Sequence, residues 1–227
     1  MTRILAAAAV ILIALSGHAS AQDAKLKVKV EDTPPPKELS EAVRGVLASK
    51  AMSVSDEKGK LLCTVWPVKA LESKAGAEQV KAGLKYTNIE ETTLVGAVKL
   101  PDTWVDYRKQ KIKPGVYTLR LGIQLADGDH MGTAPYNEFC LLSPAAEDEK
   151  PDTMDVKDLY ELSGKASPRK HPAVMLLFPN KTPPETPAVE AKPKEHFVLS
   201  YRLPVTAAGE KTHLGFSLVV IGVTMAE

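Results

Sequence analysis

Between Lys111 and Leu142 the polar and apolar positions fall into the clearest pattern in the chain. From Val116 the side chains alternate, with Val116, Thr118, Arg120, Gly122 and Gln124 on one face and Tyr117, Leu119, Leu121, Ile123 and Leu125 on the other. That two-residue period is the mark of a strand. The second face is apolar throughout, so another layer must cover it. Pro114-Gly115 suits the central positions of a type II turn, proline fixing a negative φ and glycine accepting a positive one. Asp127-Gly128 is a second turn signal. Gly132 and Pro135 then delay the return, which predicts a loop of about eight to ten residues before sheet resumes near Tyr136. Phe139 to Leu142 reads as a strand buried on both faces.

The same reading extends along the chain. Leu26, Val28 and Val30 alternate in a first strand over 25–30, and Pro34-Pro35-Pro36 ends it. Leu39, Ala42, Val43, Val46 and Leu47 recur at helical spacing, predicting an amphipathic helix over 37–49. A hairpin follows over 52–66, with Leu61, Cys63 and Val65 on one face and Leu62, Thr64 and Trp66 on the other. Residues 75–82 read as a helical turn or loop. Strands are expected over 92–100 and 104–108. Asp155 is placed to cap a short helix that Gly164 stops, and 173–178 returns to sheet. Four prolines, Pro183, Pro184, Pro187 and Pro193, predict an extended loop without ladder pairing over 180–195. Strands over 197–205 and 213–224 close the domain, the last being the most apolar and expected to be central.

About eight to ten strands with one or two short helices and regular turn signals describe a mainly β protein, an antiparallel β-sandwich or partly closed barrel. The expected organisation is a cleaved signal peptide over 1–21, a strand and proline-rich linker over 22–36, and one sandwich domain over 37–227 with excursions at 145–170 and 180–195. Arg3, the uncharged run from Ile4 to Leu15 and Ala19-Ser20-Ala21 compose the signal. A secreted or periplasmic location follows as an expectation, without membrane insertion after cleavage.

Charge narrows the partners. The chain carries 29 Lys+Arg and 28 Asp+Glu, and residues 1–21 contain one of those cations and no acid, so the processed chain is formally neutral. Such a chain lacks the clustered field that gathers nucleic acid or anionic lipid. Arg108, Lys109, Lys111 and Lys113 form a small cationic run that reads as a solvated loop offset by Asp102 and Asp106. Cys63 and Cys140 both lie in apolar runs. Export permits a disulfide between them, but buried thiols are the favoured reading.

No H-E-x-x-H pair, G-x-S-x-G elbow, phosphate loop or C-x-x-C-H attachment is present. Asp127, Asp129 and His130 are the candidate metal ligands, with Glu138 or a distant histidine completing the shell, so a divalent metal is the cofactor alternative. The plainer reading makes Asp127-Gly128 the turn and leaves His130 exposed. Tyr136 and Glu138 are candidate ligand-binding residues beside that loop. His171, His196 and His213 read as solvated strand-edge residues. Trp66 and Trp104 read as core, because a carbohydrate platform needs several exposed rings and aromatic content is 5%. Asn180-Lys181-Thr182 is a glycosylation sequon, meaningful only in a host that glycosylates.

The run Pro114-Gly115-Val116-Tyr117-Thr118-Leu119-Arg120-Leu121 resembles the turn-then-strand segment of transthyretin-like and other immunoglobulin-like sandwiches of exported proteins. More broadly, Leu61–Trp66, Asp106–Leu121 and Asp127–Phe139 are similar to an uncharacterised family of exported bacterial proteins. The resemblance implies a sandwich of that kind and no activity. Three functions are therefore carried forward. The first is a non-catalytic module binding a protein or small molecule through the 127–138 and proline-rich loops. The second is a metal-binding protein or metal-dependent enzyme centred on Asp127, Asp129 and His130, and the third is an envelope-assembly subunit using sheet edges.

Overall fold

A computed structural model describes residues 25–124 and 134–224. Residues 1–24, 125–133 and 225–227, among them Asp127, Asp129 and His130, lie outside the described residues. Within them the chain is mainly β, as its periodicity requires. Strands β1 (Lys27–Asp32), β2 (Lys50–Ser55), β3 (Leu61–Pro67), β5 (Leu94–Leu100), β8 (Gly115–Ile123), β9 (Glu138–Pro144) and β10 (Ala173–Leu176) pair antiparallel in that order as a seven-stranded sheet. A second sheet holds β11 (Ala188–Lys192), β12 (His196–Ala207) and β13 (Glu210–Ile221), with β4 (Leu71–Ser73) parallel to the end of β12. A two-stranded ladder of β6 (Trp104–Val105) and β7 (Lys111–Ile112) stands apart.

The two sheets share one core. Val54, Val65, Val98, Leu119, Leu121, Cys140 and Leu142 from the first pack with Leu199, Leu203, Phe216 and Leu218 from the second, all essentially sealed from water. Burying each such aliphatic side chain contributes about 1.5–3 kcal/mol relative to leaving it exposed. At one margin the sheets join. Leu177 and Leu218 form an isolated bridge, and Phe178 N–H donates to the Ser217 carbonyl at 2.9 Å. The Tyr86 hydroxyl enters the same joint, donating to the Phe178 carbonyl and accepting from Ser217 N–H, both at 2.9 Å. Tyr86 packs its ring edge-on to Phe216 with centroids 5.6 Å apart.

Three short α-helices form among the described residues where one or two were expected, the additional one in the 75–82 stretch read as a helical turn or loop. Ser40 caps α1 (Glu41–Val46), accepting from Val43 N–H at 3.1 Å. This helix is shorter than 37–49 because Leu47 turns extended and bridges Val68, while Ala48 N–H donates to the Pro67 carbonyl. In α2 (Ala77–Lys81) the Gln79 amide oxygen accepts the Gly76 N–H at 2.9 Å. Asp155 caps α3 (Val156–Gly164), whose Leu159 covers Phe139 and Leu141 on the outer face of β9.

Several expectations need correction. Gly115 does not take a positive φ, and it is already paired with Leu100, so Pro114-Gly115 is not a type II turn. The strand expected over 104–108 is only two residues long, because the Asp106 carboxylate turns the chain by accepting from Arg108 and Gln110 N–H groups at 3.0 and 2.7 Å. Residues 188–192 do pair, as β11, because Pro187 and Pro193 flank that strand instead of interrupting it. The last strand is not central. In the second sheet β13 pairs only with β12, and its burial comes from both faces, Leu214, Phe216 and Leu218 in the shared core and Val219 against Tyr107, Leu176 and Val198. Ala208 and Gly209, at φ 50° and 78°, connect β12 to β13 in a two-residue turn with both central residues left-handed, the geometry that matches strand twist.

Candidate functional site

Of the sequence candidates, Tyr136 and Glu138 lie among the described residues. Glu138 opens β9, paired with Ile123, and its carbonyl accepts Leu177 N–H at 3.0 Å. Burial raises the Tyr86 phenol far above its ordinary range, with the charge of Glu138 a minor addition. Tyr136 is half-buried and meets Phe178 edge-on at 4.8 Å. Phe178 in turn lies 5.5 Å from His196, and His196 stacks on Tyr107 at 5.8 Å and 29°. These four rings form a continuous string over Leu176, Val198 and Val219.

His196 is not the solvated edge residue its position suggested. It is 2% exposed, while His171 and His213 are exposed. Its Nδ1 lies 2.8 Å from the Pro193 carbonyl, which can only accept, so this nitrogen carries a proton. Nε2 is buried with no hydrogen-bond partner among the described residues. Gly222 passes over the ring at φ 146°, where a Cβ would collide with the imidazole Cδ2. Nothing in the sequence around His196 signals this, since the walls come from residues 107, 178 and 222.

The charged groups buried elsewhere are saturated by the protein itself. Arg120, on the more polar face of β8, is fully buried. Nε and Nη2 reach the two Asp148 oxygens at 2.7 and 2.8 Å, Nη1 reaches the Thr92 and Asp152 carbonyls at 2.9 and 2.8 Å, and Nη2 also reaches the Lys150 carbonyl at 2.5 Å. All five guanidinium donors are thus used. Thr118 adds a hydroxyl bond to Asp148 at 2.5 Å. The polar face of β8 is covered by the 145–154 excursion, which this arginine clamps in place.

A second internal hub is Asp106, which accepts from the Gln110 side chain at 2.8 Å and from Val174 N–H at 3.1 Å besides its two turn amides. Burial raises its carboxyl above the ordinary carboxylate value, opposed by those hydrogen bonds. It does not offset the nearby cations as its sequence position suggested, because it is fully buried and turned toward amides.

Cys63 and Cys140 are free and buried. They stand on β3 and β9, with β5 and β8 between them, so roughly 14 Å separates the strands, twice the reach of a disulfide. Burial pushes the Cys63 thiol up to about 12 and the Cys140 thiol upward as well. Neither is a nucleophile or metal ligand in this state, since both roles need the thiolate. Among the described residues no three His, Cys, Asp or Glu side chains converge as a metal site. Both tryptophans are tied inward, Trp66 to the Thr33 carbonyl at 2.8 Å and Trp104 to the Val220 carbonyl at 2.9 Å.

Comparison with family models, curated proteins and solved structures finds no match for this chain.

Proposed function

We propose that this chain is an exported, non-catalytic β-sandwich that serves as a binding module. The observation that carries the reading is the complete internal use of Arg120. Its five donors go to Asp148 and to three backbone carbonyls, so the strongest polar group in the interior holds a long connection instead of facing a substrate. Asp106 does the same for the β6–β7 turn, and the two thiols are inert. A rigid scaffold that fixes its connections at strand ends is the usual support for recognition loops. The export element rests on the sequence of residues 1–21.

Elemental analysis of processed protein purified without a tag tests the reading against a metal-dependent one. The expected result is no stoichiometric divalent metal. An equimolar ion that is lost in both His130→Ala and Asp129→Ala would replace the binding module with a metalloprotein.

A further inference from the structure

The fold brings together cations that the sequence keeps about sixty residues apart. Arg108, Lys111 and Lys113 belong to the β6–β7 hairpin and its exit, and Arg169 and Lys170 to the loop between α3 and β10. All five are exposed. Buried side chains fasten the two loops together. Gln110 donates to the Pro172 carbonyl at 3.0 Å and accepts from the Ser167 hydroxyl at 2.6 Å, while Asp106 holds Val174 N–H. Among the described residues, no carboxylate forms an ion pair with Arg108, Lys111, Lys113, Arg169 or Lys170. Asp102 is engaged with Lys60 at 3.0 Å.

Exposed apolar side chains adjoin the hairpin. Val105, 42% exposed, is the cross-strand partner of Lys111. Ile221, 37% exposed, follows Val220, whose carbonyl holds the Trp104 indole, and Thr224 N–H donates to the Tyr107 carbonyl at 2.8 Å. The end of β13 therefore runs beside β6.

We propose that this face docks peripherally on an anionic lipid bilayer. A formally neutral chain argues against such a partner only if its charges are evenly spread, and here the fold sorts them. Lysine ammonium groups are hydrated, mobile point charges, suited to a diffuse layer of headgroup phosphates more than to a single enclosed anion. The polar groups beneath them, Asp106 and Gln110, are spent on the loop backbones and do not point outward at a discrete ligand. Val105 and Ile221 supply apolar side chains to the headgroup boundary, whereas a soluble polyanion would leave them in water. The inference rests on the reading of the chain as an exported binding module and names its partner.

Vesicle co-sedimentation of the processed chain tests it, with phosphatidylglycerol-containing vesicles, phosphatidylcholine vesicles and soluble polyphosphate as the three probes. Binding is expected to phosphatidylglycerol vesicles alone and to weaken with added salt. The double variants Lys111→Glu/Lys113→Glu and Arg169→Glu/Lys170→Glu should each lose at least about tenfold in partitioning, Val105→Ser less, and Lys81→Glu on α2 nothing. Lys111→Gln/Lys113→Gln repeats the test without charge reversal, and circular dichroism checks that each variant is folded. Equal binding to both vesicle types, no binding to either, equal loss in Lys81→Glu, or polyphosphate competing as strongly as lipid would each overturn the proposal. These outcomes are independent of the metal analysis, so failure here leaves the non-catalytic reading to be judged on its own test.

Discussion

Arg120 and Asp148 meet as a two-pronged pair, Nε to Oδ2 at 2.7 Å and Nη2 to Oδ1 at 2.8 Å, with side chains 0% and 1% exposed. Taking two charges out of water is costly, and such a pair persists when its remaining donors and acceptors are satisfied. Here Thr92, Lys150 and Asp152 supply the carbonyls. Asp148→Ala should therefore destabilise by about 3–5 kcal/mol, since it leaves a buried guanidinium unpaired. The double variant Arg120→Leu/Asp148→Leu should lose less than the two single changes summed. Denaturant midpoints and proteolysis within 145–154 measure both effects, and a double variant that loses the full sum would contradict the pairing.

Asp106 gives a pH dependence of unusual sign. Its folded carboxyl is raised by burial above the ordinary 3.8, so the folded chain holds this proton more tightly than the unfolded chain does. The contribution of Asp106 is fully present below the unfolded value and is lost as pH rises through the folded one. As pH rises from below the ordinary 3.8 through the raised folded value, wild type should lose stability relative to Asp106→Asn. Chemical unfolding of both proteins across that range tests it. A gap that moves the other way would mean the four N–H donors outweigh burial.

Tyr86 is the hinge pin of the sheet joint. Tyr86→Phe keeps the ring against Phe216 but leaves Ser217 N–H and the Phe178 carbonyl without their hydroxyl partner. A loss of about 1–3 kcal/mol is expected, with amide exchange accelerated first at Ser217. Unchanged exchange at that amide would show the joint to be held by other contacts.

The two thiols should resist chemistry in the folded state. With Cys63 pushed up to about 12 and both side chains buried, a thiol-specific disulfide reagent should find no reactive group before unfolding and two after it. Intact mass under non-reducing conditions should match two free thiols. A two-proton deficit would disprove the strand placement of either cysteine.

Much of this architecture was legible because strand period is local. The alternation from Val116 fixes which face of β8 carries Leu119 and Leu121, and both lie in the core. The same alternation assigned Arg120 to the other face but not its burial, because Asp148 lies 28 residues away and no period links them. β11 was hidden for a different reason. Each proline removes one donor at its own position, and four in sixteen residues obscured five consecutive residues that keep theirs. Of the candidate site, Tyr136 and Glu138 are placed, while Asp127, Asp129 and His130 lie outside the described residues. His196 was misjudged because strand ends are usually wet, and only the convergence of Tyr107, Phe178 and Gly222 dries this one. The cations of 108–113 were visible as a run, but their meeting with 169–170 depends on Gln110.

The parallel pairing of Leu71–Ser73 with Val205–Ala207 spans most of the chain, and Tyr86 cannot complete its bonds until Ser217 has been synthesised. Early strands can zip with their sequence neighbours, yet the second wall of the sandwich does not exist before the final hairpin is made. The second sheet therefore closes late, only once residues 210–221 are available to pair with β12.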